Sequence, residues 1–201
     1  MTVANDERTG HMRELILGGQ RSGKSRCAEA RAAAWLAGGA DGARARSACL
    51  VATALPGDAE MRERIARHRA DRAARVPALA SVEAPLALAE ALHAQSAPER
   101  LVIVDCLTLW LTNLLMPGDD RAPLDDAQLE TRIESLIAAV RAQAGPLVLV
   151  SNEIGLGISP LGAPVRRFVD ELGRLHQRIA AVCSSVTWMV AGIEVPVKRA
   201  I

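Results

Sequence analysis

The chain has 201 residues, and its 24 Lys and Arg against 23 Asp and Glu give a formal net charge of +1. This length suits one α/β domain with a sizeable core and is short for two. The balanced charge gives no electrostatic footprint for nucleic acid. Three Trp, one Phe and no Tyr are too few for base-stacking platforms. We therefore expect no nucleic-acid partner.

The cysteines and the N-terminal residues indicate the cellular compartment of the protein. Cys27, Cys49, Cys106 and Cys183 lie far apart without C-x-x-C spacing, which predicts buried thiols in a reduced, cytoplasmic protein. Residues 1–13 are polar and lack the apolar core of a signal peptide, so they are predicted to form a flexible extension. Met12 is an alternative start. The longest apolar stretch, Leu101–Met116, is too short and too polar to span a membrane.

Predicted strands and helices alternate along the rest of the chain. Apolar runs of strand length are Glu14–Leu17, Ala48–Thr53, Leu101–Asp105, Leu147–Val150 and Val186–Val190. Predicted helices are Arg26–Leu36, Ala59–Arg72, Leu86–Gln95, Leu107–Leu115, Asp125–Ala142 and Val165–Val182. Ala73–Val82 shows no clear period, and Pro196–Ile201 is uninformative. This alternation predicts that residues 14–201 form a single α/β domain, with a mostly parallel sheet between two layers of helices.

A phosphate-binding motif follows the first predicted strand. The residues Gly18, Gly19, Gln20, Arg21, Ser22, Gly23, Lys24 and Ser25 fit G-x-x-x-x-G-K-[ST], and a predicted helix comes next. In this P-loop, glycines permit unusual backbone angles, and the backbone N–H groups and the helix N-terminus attract phosphate. Lys24 is expected to reach the β- and γ-phosphates. The alternative is a glycine-rich turn with a surface lysine; the strand–loop–helix context favours nucleotide binding.

Asp105 is the expected partner of the P-loop. It ends a strand of four apolar residues, which is the pattern of a Walker B carboxylate. The prediction is that Ser25 and Asp105 hold Mg²⁺. The alternative is that Asp105 caps the helix that begins at Leu107.

Further polar residues follow the ends of other strands. Thr53 and the pair Asn152-Glu153 do so, and in parallel sheets ligands bind at the carboxyl ends of the strands. We therefore expect them to share one crevice with the P-loop and Asp105. Glu153 could position a substrate hydroxyl or water there, or it could be a cap or turn residue.

His68 allows two interpretations. With Met61 and Ile65 it falls on one face of a predicted helix, where a histidine is usually a packed core residue. Arg64, Arg69 and Arg72 surround it, however, and nearby positive charge favours a neutral, nucleophilic ring. His11, His93 and His176 are interpreted as residues of the tail, an exposed helix and a helix surface.

Together these residues resemble a known family, the bifunctional adenosylcobinamide kinase / adenosylcobinamide-phosphate guanylyltransferases of cobalamin biosynthesis. The resemblance covers residues 14 to about 195 in order and spacing. The matching pieces are Gly18–Ser25, Val51–Ala54, a segment from Asp58 through Arg64 and His68 to Arg72, Val104–Asn113, Ser151–Ile158, Arg167-Phe168 and Gly173–Gln177.

The resemblance implies a homotrimer with a P-loop NTPase fold like that of recombinase-type ATPases. It implies two activities: phosphorylation of adenosylcobinamide by ATP or GTP, and transfer of GMP from GTP to the product through a guanylylated histidine. On this chain that histidine is His68, and Lys24 is the catalytic lysine that contacts the phosphates. The implied nucleotide site comprises the P-loop residues with Ala52, Thr53, Ala54, Arg69, Ala70, Asp71, Arg72, Glu83 and Asp105.

One segment departs from the family pattern. The family carries a Trp between the arginine and the acidic residue, and this chain has none there. The spacing from Arg75 to Pro85 fits the family better than the spacing from Arg72, as though three residues were inserted.

Three other functions compete with the one that the resemblance implies. A single-activity P-loop kinase would leave His68 structural and would form no covalent nucleotide adduct. A recombinase-like ATPase would bind DNA, against which the charge and the scarcity of aromatics argue. A nucleotide-sensing module would bind without turnover.

Overall fold

The computed structural model describes residues 12–39, 45–57, 59–118 and 121–199, apart from the side chain of Arg64. Of the predicted N-terminal extension, residues 1–11 with His11 therefore lie outside the described residues, as does Asp58.

The strands of this structure form one sheet. Their order across it is β3-β2-β4-β5-β1-β6-β7. Only the last pair, β6 with β7, is antiparallel. The strands are β1 (Arg13–Gly18), β2 (Ser47–Ala52), β3 (Leu79–Glu83), β4 (Arg100–Asp105), β5 (Leu147–Asn152), β6 (Ser185–Val190) and β7 (Ile193–Lys198). The prediction of a mostly parallel sheet is confirmed.

Helices cover both faces of the sheet. They are α1 (Lys24–Ala37), α2 (Ala59–Arg75), α3 (Leu88–Gln95), α4 (Leu107–Leu115), α5 (Asp126–Arg141) and α6 (Ala163–Val182). Successive residues of β4 point to opposite faces. Val102 and Val104 pack with residues of α3 to α6, whereas Leu101 and Ile103 pack with residues of α1. The three-layer α/β fold of a P-loop NTPase is therefore confirmed.

Two strands, β3 and β7, were not predicted. Both lie at edges of the sheet and are largely exposed, so neither carries an apolar run. The strand β7 follows β6 through a two-residue turn in which Ala191 and Gly192 have φ of 51° and 82°. Positive φ at both turn positions matches the twist of a hairpin. Pairing with a neighbouring strand, which the local pattern does not display, makes these segments strands.

The cysteines are buried and free, which confirms their interpretation as small core residues. Burial raises the pKa of Cys27, Cys106 and Cys183 to about 12. These thiols are thus protonated and weakly nucleophilic near neutral pH. No helix in the described part of the chain is both long enough and apolar enough to cross a membrane.

Candidate functional site

The P-loop connects β1 to α1 and requires glycine at two positions. Gly23 has φ of 102° and serves as the N-cap of α1, which begins at Lys24 and not at Arg26 as predicted. A β-carbon on Gly18 would lie 2.5 Å from the carbonyl oxygen of Met189. Gly192 N–H donates to the Ser22 carbonyl at 3.0 Å, so the β6–β7 turn supports the loop from behind.

Lys24 is buried in this loop. Its side chain folds back so that Nζ donates to the Gly19 carbonyl at 2.6 Å, and 7 % of the residue is exposed. Burial lowers the pKa of Lys24, while the neighbouring Cys106 and Asp105 act in the opposite direction. The alternative of a surface lysine is wrong. A buried ammonium beside a backbone carbonyl is stabilised by an anion, and phosphate is the anion that P-loops bind.

Asp105 ends β4 and faces α1. The Ser25 hydroxyl donates to Asp105 Oδ2 at 3.1 Å. Cys106 is the N-cap of α4 and no side chain caps that helix, so the alternative role of Asp105 as a helix cap is wrong. Burial raises the pKa of Asp105, opposed by the Ser25 hydrogen bond and by the charges of Arg72 and His68.

The donor set of Ser25 and Asp105 fits Mg²⁺. Both supply hard oxygen atoms, and the carboxylate is held in place by the serine. Among the described residues no group of three or more His, Cys, Asp or Glu could enclose a metal. A pair of protein oxygens suits a cation that keeps several waters and shares phosphate oxygens.

The sheet brings the predicted strand ends together. The strand β5 lies between β4 and β1, with Asn152 in register with Gly18 and Glu153 N–H donating to the Gly18 carbonyl at 3.0 Å. Thr53 bonds the neighbouring strand end through its hydroxyl, which accepts from Cys106 N–H at 2.8 Å and donates to its carbonyl at 2.7 Å. Thr53, Asp105 and Asn152 therefore share one edge with the P-loop.

His176 is buried, so its placement on a helix surface was wrong. Its Nε2 lies 2.7 Å from Ser151 Oγ, and Ser151 Oγ lies 3.0 Å from Thr108 Oγ1. Thr108 Oγ1 accepts from Asn152 N–H at 2.7 Å, which closes a buried network behind the strand end. Helical spacing could have revealed the burial, because His176 follows the core residue Leu172 by four positions on α6.

Glu153 is already engaged. Its Oε1 accepts from Gly155 N–H at 2.6 Å, and its Oε2 lies 3.7 Å from His176 Nδ1. Of the two predicted roles, the structure displays that of a turn residue. Asn113 was given no role by the sequence, but its amide donates to the Thr53 and Pro85 carbonyls at 2.8 and 3.0 Å and so holds the loop after β2.

His68 lies on α2 and is exposed, so the interpretation as a packed core residue is wrong. His68 shares a face of α2 with Arg75, whose Nε and Nη2 donate to Glu29 of α1 at 2.6 and 3.1 Å, so this face lies toward the P-loop helix. Arg69 forms an ion pair with Glu83, and the two line a cavity of about 300 Å³ with Ala54.

The remaining predicted residues lie on α2, in the P-loop and at the end of β2. Ala70 and Asp71 are exposed on α2, Gly19, Gln20 and Arg21 are exposed in the P-loop, Ser22 is buried, and Ala52 ends β2 half-buried. Asp58 and the side chain of Arg64, both in the family motif, lie outside the described residues.

The family model described as cobinamide kinase / cobinamide phosphate guanyltransferase matches residues 14–197. The chain belongs to this family.

Relatives extend over nearly the whole chain. A protein of Pseudomonas aeruginosa named bifunctional adenosylcobalamin biosynthesis protein CobP is 47% identical over 187 residues, which are 93% of this chain and 98% of the relative. The Escherichia coli protein named bifunctional adenosylcobalamin biosynthesis protein CobU is 37% identical over 191 residues, or 92% and 98%. A Salmonella typhimurium protein of the same name is also 37% identical. The resemblance inferred from the motifs is confirmed.

Proposed function

We propose that this chain is bifunctional: it phosphorylates adenosylcobinamide with ATP or GTP and then transfers GMP from GTP to the phosphate. The observation that carries this proposal is the pairing of two features at one edge. The buried Lys24 and the Ser25–Asp105 pair lie at the P-loop, and the exposed His68 lies on the face of α2 that Arg75 joins to the P-loop helix. The family and the names of the relatives support the same reaction pair.

The kinase half rests on positioning and charge. The P-loop backbone and Lys24 would bind the β- and γ-phosphates and offset the negative charge that develops as the γ-phosphoryl group moves. The substrate hydroxyl attacks the γ-phosphorus and releases its proton, the bond to the β-phosphate oxygen breaks so that the nucleoside diphosphate leaves, and no covalent enzyme intermediate is needed.

Ser25 and Asp105 are the residues that we propose for Mg²⁺. When bound, the ion would neutralise charge on the phosphate oxygens. Asp105 must be ionised to serve. Its burial opposes ionisation, whereas the Ser25 hydrogen bond and the charge of Arg72 favour it.

The guanylyl half requires a nucleophile, and His68 is the candidate. Its imidazole nitrogen would attack the α-phosphorus of GTP, forming an N–P bond as the bond to the β-phosphate oxygen breaks and pyrophosphate leaves. A phosphate oxygen of adenosylcobinamide phosphate then attacks the same phosphorus, and the N–P bond breaks. The exposure of His68 supports access by two successive substrates. Arg69, Arg72 and Glu83 remain proposed contacts of the nucleotide, together with Ala70 and Asp71.

Intact mass measurement after incubation with GTP and Mg²⁺ tests the guanylyl half. Wild-type protein should gain one GMP, and the bond should be labile in acid and stable in alkali, as phosphohistidine-type bonds are. His68→Ala should lose the adduct and GMP transfer but retain at least part of the kinase activity. His93→Ala, which changes another exposed histidine, is the matched control and should behave like wild type. Normal transfer by His68→Ala, or an adduct mapped to Lys24, would overturn this assignment.

Assembly and location complete the proposal. A homotrimer and a cytoplasmic location are both proposed from the family resemblance, and the free, buried cysteines support a reducing compartment. Light scattering at micromolar concentration tests the first point, and a monomer there would remove it. The remaining partner is the corrinoid itself.

A further inference from the structure

Helix α2 carries His68 but has little buried surface of its own. Every described side chain of α2 is exposed, except those of Met61, Ile65 and Arg72, which are half-buried. Its orientation therefore cannot be set by core packing along its length, and polar contacts with other elements must contribute.

Ion pairs to other elements anchor α2 with unequal strength. Arg69 pairs with Glu83 between side chains that are 54% and 59% exposed, and such surface pairs contribute little to stability. Arg75 instead reaches Glu29 of α1, whose side chain is 5% exposed. Its Nε and Nη2 donate to the two carboxylate oxygens at 2.6 and 3.1 Å. A bidentate ion pair of this kind fixes the orientation of the two side chains as well as the distance between them.

Arg75 also lies on the face of α2 that carries His68. At about 100° per residue, His68, Arg72 and Arg75 fall within an arc of about 60°. The next residue, Val76, is buried in the core on the α1 side of the sheet. The C-terminal end of α2 is thus tied to the P-loop helix by the same face that presents His68.

We infer that the Arg75–Glu29 ion pair positions α2, so that its His68 face is held against the phosphate site; this inference rests on the proposed function. Arg75 is then a positioning residue and is already engaged by Glu29. Arg72, half-buried and on the same face of α2 as His68, is the arginine left to face the nucleotide. This resolves the alternative between Arg72 and Arg75 that the family spacing left open.

The distance between Arg75 and His68 makes the displacement of His68 large when α2 tilts. His68 lies seven residues from Arg75, or about 10 Å along the helix axis. A tilt of about 10° at the anchored end would displace His68 by about 2 Å, and misplacement by about 1 Å can cost a reaction about 100-fold. Loss of the ion pair should therefore slow the attack on GTP much more than it weakens GTP binding at the P-loop.

Hydrogen exchange and adduct formation test the inference in parallel. In Arg75→Ala, amide exchange in residues 59–75 should accelerate several-fold while exchange in α1 and the sheet is unchanged. At saturating GTP, GMP-adduct formation should slow by about 10-fold or more, and the GTP concentration for half-maximal rate should change by less than about 3-fold. Arg75→Lys keeps the charge but not the fork geometry, so it should recover only part of the rate.

The control is a second ion pair on the same helix. Arg67 pairs with Glu63 within α2, between side chains 64% and 74% exposed. Arg67→Ala also removes a guanidinium group but breaks no ion pair between α2 and another element. It should match wild type in both measurements. Glu29→Gln, which keeps the shape of the buried partner, should act in the same direction as Arg75→Ala and serves if that variant does not fold.

The outcomes separate this inference from the proposed function. Unchanged α2 exchange in Arg75→Ala and Glu29→Gln would overturn the inference, as would wild-type adduct formation in both. A rate that falls only in proportion to the folded fraction would also overturn it. If wild-type protein forms no adduct, the proposed guanylyl transfer fails, and the exchange data alone then decide whether the ion pair holds α2.

Discussion

Replacing His176 with alanine tests whether the buried network behind the strand end stabilises the protein. The change removes one of the two side-chain partners of the buried Ser151 Oγ: His176 Nε2, at 2.7 Å, is lost, and Thr108 Oγ1, at 3.0 Å, remains. The loss of one buried hydrogen bond costs about 0.5–1.5 kcal/mol. The space left by the ring adds to this, so we expect about 2–4 kcal/mol lower free energy of unfolding at pH 8.

The same variant should reveal a dependence on pH. Burial lowers the pKa of His176 below the 6.5 of a free imidazole, while Glu153 acts in the opposite direction. Because the folded-state pKa is the lower one, the unfolded chain binds the proton first as pH falls. The stabilisation by the neutral ring is thus complete above pH 6.5 and is lost as pH falls from there toward the folded-state pKa. The difference between wild type and His176→Ala should shrink below that pH, by at most about 1.4 kcal/mol per pH unit.

Urea unfolding at one fixed protein concentration measures these quantities. His93→Ala, at an exposed position of α3, should change stability by less than about 0.5 kcal/mol at pH 8. In a double-mutant cycle, Ser151→Ala with His176→Ala should cost less than the sum of the single changes, because the hydrogen bond between these two side chains is then lost only once. A cost below about 0.5 kcal/mol for His176→Ala, or a difference that stays constant from pH 8 to pH 5, would refute the reasoning.

Three further predictions concern the P-loop edge. Lys24→Ala should abolish productive binding of triphosphate in both reactions, and normal turnover of either would contradict the nucleotide site. Burial raises the pKa of Asp105 above 3.8, so the folded state favours the protonated carboxyl. The stabilisation from Asp105 is therefore present below that pH and is lost as pH rises through the folded-state pKa. Asp105→Asn should therefore unfold at higher urea concentration than wild type at pH 8 while turnover falls by about 100-fold or more; lower stability would contradict the burial argument. Gly23→Ala places a side chain at φ of 102° and should cost about 1–2 kcal/mol by thermal unfolding, with an unchanged midpoint counting against the strain.

Local patterns were sufficient for the phosphate loop and the centre of the sheet. The backbone N–H groups of the P-loop bind phosphate. The motif therefore lies in eight consecutive residues and can be recognised from the sequence alone. The central strands β1, β2, β4 and β5 are covered on both faces, which requires continuous apolar runs that stand out in the sequence. The register of these strands then brings Asp105 and Asn152 to the edge where Gly18 ends β1.

Long-range contacts decided the rest. The edge strands β3 and β7 exist because a neighbour pairs with them, and their exposed residues carry no apolar signal. His176 is a surface residue or a network residue depending on what packs over α6, and only the structure places Ser151 beside it. Arg72 and Arg75 are equivalent in residue type and nearly so in spacing. The buried carboxylate of Glu29, on a different helix, separates them, because a charge in the core needs a partner and Arg75 is the side chain that reaches it.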